Sequence, residues 1–123
     1  MRRPAKTLKI LITVASLIGT IGLLPSAANA TGASDVADGQ KIAFNRKKGN
    51  CLACHQIAGG KLAGNIGPPL VAMRARFPDF DALVAQIADA TAKNPNSIMP
   101  PFGPHEILSK KEIRMIARFI HTL

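Results

Sequence analysis

Cys51-Leu52-Ala53-Cys54-His55 is the densest group of nucleophilic and metal-ligating side chains in this 123-residue chain, and it contains both of its cysteines. A C-x-x-C pair followed directly by histidine matches the attachment motif for a c-type haem. A short helical turn puts both sulfurs at the porphyrin edge, within reach of the two vinyl groups, and points the next imidazole at the iron. Cys51 and Cys54 are the expected anchors, and His55 is the expected proximal ligand.

Two other chemistries use the same residue types. A redox-active C-x-x-C on a thioredoxin-like fold needs a βαβ pattern, and no Val/Ile-rich strand precedes Cys51. Zinc would need two more ligands at matched spacing, and the remaining candidates, His105 and His121, are distant. Motif, cysteine count and compartment together favour haem.

A haem iron has a second axial position. Met99 lies in Ile98-Met99-Pro100-Pro101-Phe102, where flanking prolines restrict the backbone and hold a thioether at little entropic cost. Met99 is the expected distal ligand, His105 and His121 are the alternatives with His105 next, and an open site ranks last. A second imidazole would lower the reduction potential relative to Met/His ligation. Met73 is expected to fill a core gap, and Met115, off the apolar stripe of the last helix, to face solvent or a partner. The ring N–H of His55 also needs an acceptor, for which the Pro68 carbonyl is the candidate.

The elements that carry these residues read as helices. Ser34 is a plausible N-cap, with Asp35 and Asp38 near the positive end of the dipole. Val36, Gly39, Ala43 and Phe44 give one apolar face, and Arg46, Lys47 and Lys48 form the last turn before Gly49. Gly- and Pro-rich residues 59–69 form a loop, followed by a short helix over residues 70–76. Asp79 or Asp81 caps another helix, in which Phe80, Leu83, Val84, Ile87 and Thr91 share a face. Residues 93–108 are a second irregular stretch. Ser109-Lys110-Lys111-Glu112 is a capping box, with Leu108 against Ile113 as its staple. The closing helix carries Ile113, Ile116, Ala117, Ile120 and Leu123 on one stripe, with Phe119 at its edge. It is expected to pack on the first helix, with Gly39 and Phe44 meeting Phe119.

Residues 1–30 read as a cleaved secretory signal peptide, and residues 31–123 as one monohaem domain. Arg2, Arg3, Lys6 and Lys9 form a basic start, residues 10–24 are apolar, and Ala28-Asn29-Ala30 has the form of a signal-peptidase site. The alternative is a retained anchor, for which the apolar run is short. Cleavage after Ala30 implies export, with the periplasm as the location and no membrane attachment afterwards. It removes those four basic residues, so the formal net charge falls from +9 to +5. A mild positive surface fits steering toward acidic redox partners or an anionic substrate, and nucleic acid is not an expected partner for an exported chain without aromatic-basic interleaving. With no Trp or Tyr, the chain has a thin apolar supply, which a porphyrin at its centre would correct.

The order of helix, C-x-x-C-H, Gly-Pro loop, methionine loop and closing helix resembles class I c-type cytochromes. More narrowly, it is similar to the SoxX family, the small monohaem subunits of the SoxAX cytochrome of bacterial sulfur oxidation. The likeness is carried by residues 44–55, by Gly64-Asn65-Ile66-Gly67-Pro68-Pro69-Leu70, by residues 94–103 and by Phe119-Ile120-His121-Thr122-Leu123. Phe119 departs from the Tyr or Trp frequent on the last helix of broader class I chains.

That resemblance implies an all-α fold around one covalent haem c, with His55 and Met99 as axial ligands, and a heterodimer with a SoxA-like haem subunit. In such a pair the SoxA subunit joins thiosulfate to a cysteine of the carrier SoxYZ, as an L-cysteine S-thiosulfotransferase. The small subunit passes electrons to a soluble cytochrome and does no substrate chemistry itself. A free-standing carrier serving an oxidase or reductase fits the haem motif equally well. A thiol–disulfide oxidoreductase using Cys51 and Cys54 would be excluded by bound haem.

Overall fold

The computed structural model describes residues 27–123, and among them no strand occurs. The basic start of the leader and its apolar run lie outside the described residues. Helix α1 spans Ala27–Phe44, α2 Met73–Arg76, α3 Phe80–Ala88 and α4 Lys110–Ile120, with 3-10 turns at Cys51–Ala53 and Ala90–Ala92. No described helix is long and apolar enough to cross a membrane.

Helix α1 differs at both ends from the sequence reading. Ser34 lies inside it, because the alanine-rich segment before Ser34 favours helix and extends it to Ala27. Cleavage after Ala30 would remove the first turn of α1. At the other end the helix stops at Phe44, so Arg46, Lys47 and Lys48 sit in the following turn. Asn45 accounts for the stop: its Oδ1 accepts the Lys47 N–H at 2.8 Å and competes with the helical bond. The Asn45 carbonyl accepts from Lys48 and Asn50, while Gly49 bonds back to the Ile42 carbonyl. Gly49 is needed there, since a Cβ would stand 2.9 Å from that oxygen.

Two other boundaries shift. The short helix begins at Met73 instead of residue 70, because the Leu70 N–H is already committed to the Gln56 carbonyl and Ala72 turns the chain with φ 50°. Helix α3 ends at Ala88, and Asp89 starts a new turn by accepting from the Thr91 N–H at 2.9 Å, which leaves Thr91 outside α3. Asp79 is the N-cap of α3, accepting from the Asp81 N–H.

Helices α1 and α4 form the main helix pair. Gly39 makes the crossing possible, since a Cβ there would overlap the Met115 carbonyl and stand 3.0 Å from the Ile116 nitrogen. Gly39 therefore meets the Met115 backbone, not Phe119, and Met115 is only partly exposed. Phe44 and Phe119 meet edge to face, with centroids 5.7 Å apart at 88°. Ser109 and Glu112 form the reciprocal capping box that starts α4, and Leu108 and Ile113 are both buried in the core. Lys48 pairs with Glu112, tying the turn ahead of the cysteines to the start of α4.

Candidate functional site

Asn50 starts the cysteine turn in the left-handed region, at φ 47°. That reverses the chain after α1 and lets Cys51–Ala53 wind as a 3-10 turn, with the Cys51 carbonyl accepting from Cys54 at 3.2 Å and from His55 at 2.9 Å. His55 thus follows Cys51 by one turn of helix, which brings both cysteines and the imidazole to one wall of a cleft of about 750 Å³. The loop after the turn is bonded to it twice, through Gly64 N–H to the Leu52 carbonyl and Gly67 N–H to the Cys54 carbonyl.

The His55 ring is held from two sides. Its Nδ1 lies 2.7 Å from the Pro68 carbonyl oxygen, so a proton on Nδ1 leaves Nε2 free to ligate. Gly67 lies under the ring so closely that a Cβ would stand 2.7 Å from Nδ1 and 2.9 Å from Nε2. Met99 lines the same cleft and packs against the core, with its N–H on the Ser97 hydroxyl at 3.3 Å. Asn94 shapes that loop, its side chain accepting from the Asn96 N–H.

The other candidates stand elsewhere. His105 is exposed and does not line the cleft. His121 lies on another face, with Nε2 3.0 Å from the Phe77 carbonyl and its ring edge-on to Phe80. Met73 is 2% exposed and is a core residue on the cleft wall. Burial pushes the Cys51 thiol up to about 11, with the neighbouring Cys54 adding to it. Such a thiol is protonated at neutral pH, which disfavours thiolate-driven disulfide exchange.

The cleft suits a porphyrin in its linings. Leu70, Leu83, Ile87, Phe102, Ile116 and Ile120 supply apolar surface. Arg46, Lys47, Lys48 and Arg76 also line it, and among the described residues no carboxylate does, which suits a group bearing two propionates. Gly67 and Arg76 are the residues that sequence reasoning passed over. Gly67 was legible only as a loop former beside Pro68, and nothing in the spacing connects Arg76 with His55.

A family model described as "Cytochrome C oxidase, cbb3-type, subunit III" matches residues 34–120. An uncharacterized lipoprotein of Aquifex aeolicus (strain VF5) is 37% identical over 76 residues, covering 61% of this chain and 37% of that protein. The chain therefore spans well under half the length of that curated relative. A crystal structure of SoxXA from P. pantotrophus matches with a TM-score of 0.63 and 26% identity, over 70% of this chain and 79% of that one. Cleft and comparisons agree on covalently attached haem c as the cofactor.

Proposed function

The chain belongs to the family described as cytochrome C oxidase, cbb3-type, subunit III, an all-α c-type cytochrome that carries electrons, and on that footing we propose that it is the small haem subunit of a thiosulfate-oxidising complex of the SoxAX kind. The observation that carries the proposal is the match to the SoxXA structure, which spans 79% of that chain at 26% identity. In this reading Cys51 and Cys54 hold the haem, and His55 and Met99 are its axial ligands. A SoxA-like haem subunit is the partner, and the carrier SoxYZ is engaged through the complex. A soluble cytochrome takes the electrons onward.

Haem supplies a one-electron couple at iron, and the residues of this chain decide how readily it changes state. The Pro68 carbonyl orients the His55 imidazole. The Met99 loop brings a thioether, which favours the reduced state relative to a second imidazole. The apolar side chains of the cleft would shield a bound porphyrin from water. His55 and Met99 would hold the haem iron between them, and a haem held so would supply electron transfer and not a binding place for substrate.

Export to the periplasm, with cleavage after Ala30, belongs to the same proposal. The form of the leader supports both parts, and the lipoprotein relative supports export alone. A second reading, a free-standing carrier serving an oxidase or reductase, is favoured by the oxidase description of the matching family.

Native mass spectrometry of the protein purified without detergent from its source cells tests these readings together. The expected species is a chain beginning at Thr31, carrying one covalent haem and bound to a larger haem-containing subunit. A haem-loaded monomer would favour the free carrier, and a chain starting at Met1 would overturn the cleavage.

A further inference from the structure

We infer that Arg76 is a positioning residue for the haem's proximal side, holding the Pro68-Pro69 segment so that the Pro68 carbonyl stays aimed at His55; the inference rests on His55 being the proximal ligand. Proline has no backbone N–H, so neither Pro68 nor Pro69 can pin its own peptide unit through a donor. The orientation of their carbonyls depends on partners from elsewhere in the chain. Pro68 O faces His55 Nδ1 at 2.7 Å. Pro69 O accepts from Arg76 Nη1 at 2.9 Å, and the N–H of the next residue, Leu70, donates to the Gln56 carbonyl at 2.9 Å.

The Pro69–Leu70 peptide is thus bonded at both ends. A peptide unit is planar, so these two bonds fix its plane. The pyrrolidine ring of Pro69 locks φ, which leaves ψ of Pro69 as the one soft torsion between that plane and the preceding one. The preceding plane contains the Pro68 carbonyl. Holding Pro69 O therefore narrows the range open to the acceptor of the His55 ring, with Arg76 bonded to Pro69 and not to His55.

Arg76 is itself well anchored. It closes α2, and the same Nη1 lies 3.3 Å from the sulfur of Met73. Met73 is 2% exposed and donates its N–H to the Leu123 carbonyl at 2.9 Å. The contact also occupies the thioether of a methionine that lines the haem cleft without being the expected ligand. Arginine suits the task because one Nη1, held in the plane of the guanidinium, reaches carbonyl and sulfur together, and the group stays charged at all working pH values. Arg74, on the same short helix and exposed as Arg76 is, makes none of these contacts.

Two electronic effects follow, with opposite signs. A firm Nδ1–H bond makes the imidazole more basic, favours ferric iron and lowers the reduction potential. The positive charge of Arg76 on the cleft wall disfavours the oxidised, more positive haem and raises it. Arg76→Lys keeps the charge and loses the planar, pre-oriented Nη1 donor, so it isolates positioning, whereas Arg76→Gln removes both.

The test uses the ferric holoprotein of the wild type, R76K, R76Q and, as a control, R74K. Proton NMR reads the hyperfine-shifted Nδ1 proton of His55 and its exchange with solvent, and redox titration reads the potential. The expected result is at least about fivefold faster exchange in both Arg76 variants, reporting easier local opening, with R74K at the wild-type rate. R76K is also expected to shift the potential upward with haem content unchanged. If R76Q fails to retain haem, R76K decides the matter. An exchange rate and a potential in R76K equal to those of the wild type would overturn the positioning role. A wild-type spectrum with no hyperfine-shifted His55 ring proton would instead overturn His55 ligation, and the inference with it.

Discussion

The imidazole of His55 rests directly on Gly67, with no room between them for a methyl group: a Cβ at position 67 would stand 2.7 Å from Nδ1. The same ring has its Nδ1 on the Pro68 carbonyl, so the Gly67-Pro68 pair sets both the height and the direction of the imidazole. Gly67→Ala is expected to displace the ring and to destabilise the holoprotein by about 1–3 kcal/mol, as overpacking in a closed site does. Thermal unfolding of the haem-loaded protein measures this. An unchanged midpoint together with full haem content would show that the ring moves aside freely.

Met99→Ala is expected to abolish the ferric sulfur-to-iron charge-transfer absorption and to lower the reduction potential, since thioether ligation raises it. His105→Ala and His121→Ala should keep that absorption, because neither histidine lines the cleft. Retention of the band in the Met99 variant would reassign the sixth ligand.

Gly39 separates two opposing effects of a methyl group. Alanine is a better helix former than glycine by about 1 kcal/mol, yet its Cβ at this position would overlap the Met115 carbonyl of α4. Backbone cannot yield as a side-chain end can, so the steric term wins. Gly39→Ala is expected to cost about 1–3 kcal/mol net, and chemical denaturation of the holoprotein reads the difference. A gain in stability would mean that α4 shifts without penalty.

Glu112 links the cap of α4 to the turn ahead of the cysteines. Its hydrogen bond to Lys48 is the chief cause of a carboxyl held down to about 2, with the Ser109 N–H and hydroxyl adding to it. A folded-state value below the ordinary 4.5 contributes stability that is present above about 4.5 and is lost as pH falls through about 2. Glu112→Gln should flatten the acid limb of the stability curve over that window and leave its slope at neutral pH unchanged. Equilibrium denaturation from pH 2 to pH 7 follows it. An acid limb in the variant as steep as in the wild type would place the lost protonation linkage elsewhere.

Part of the site was legible because its chemistry is local. Cys51, Cys54 and His55 follow one another within a single turn, so type and spacing alone define how they can act together. The capping box of Ser109 and Glu112 is legible for the same reason: both partners lie in one helical turn. The ends of the first helix are not legible in the same way, because local signals compete there. Ser34 can cap or be carried along inside a helix, and the Asn45 side chain takes a backbone N–H that the helix would otherwise use.

From its order of residues the chain already declared a haem-binding turn, a methionine in a proline-restrained loop and an all-α class. The turn and the loop follow from residue types a few positions apart, and the all-α class from the resemblance that those segments carry to class I c-type cytochromes. Only folding decided that Gly67 lies against His55, that Gly39 meets the Met115 backbone, that His121 faces away from the cleft and that Arg76 reaches Pro69. Each of these joins residues from separate segments, and their meeting depends on how α1, α4 and the two loops close around one cleft. No short-range pattern encodes such a distance, because it is set by the packing of the whole domain.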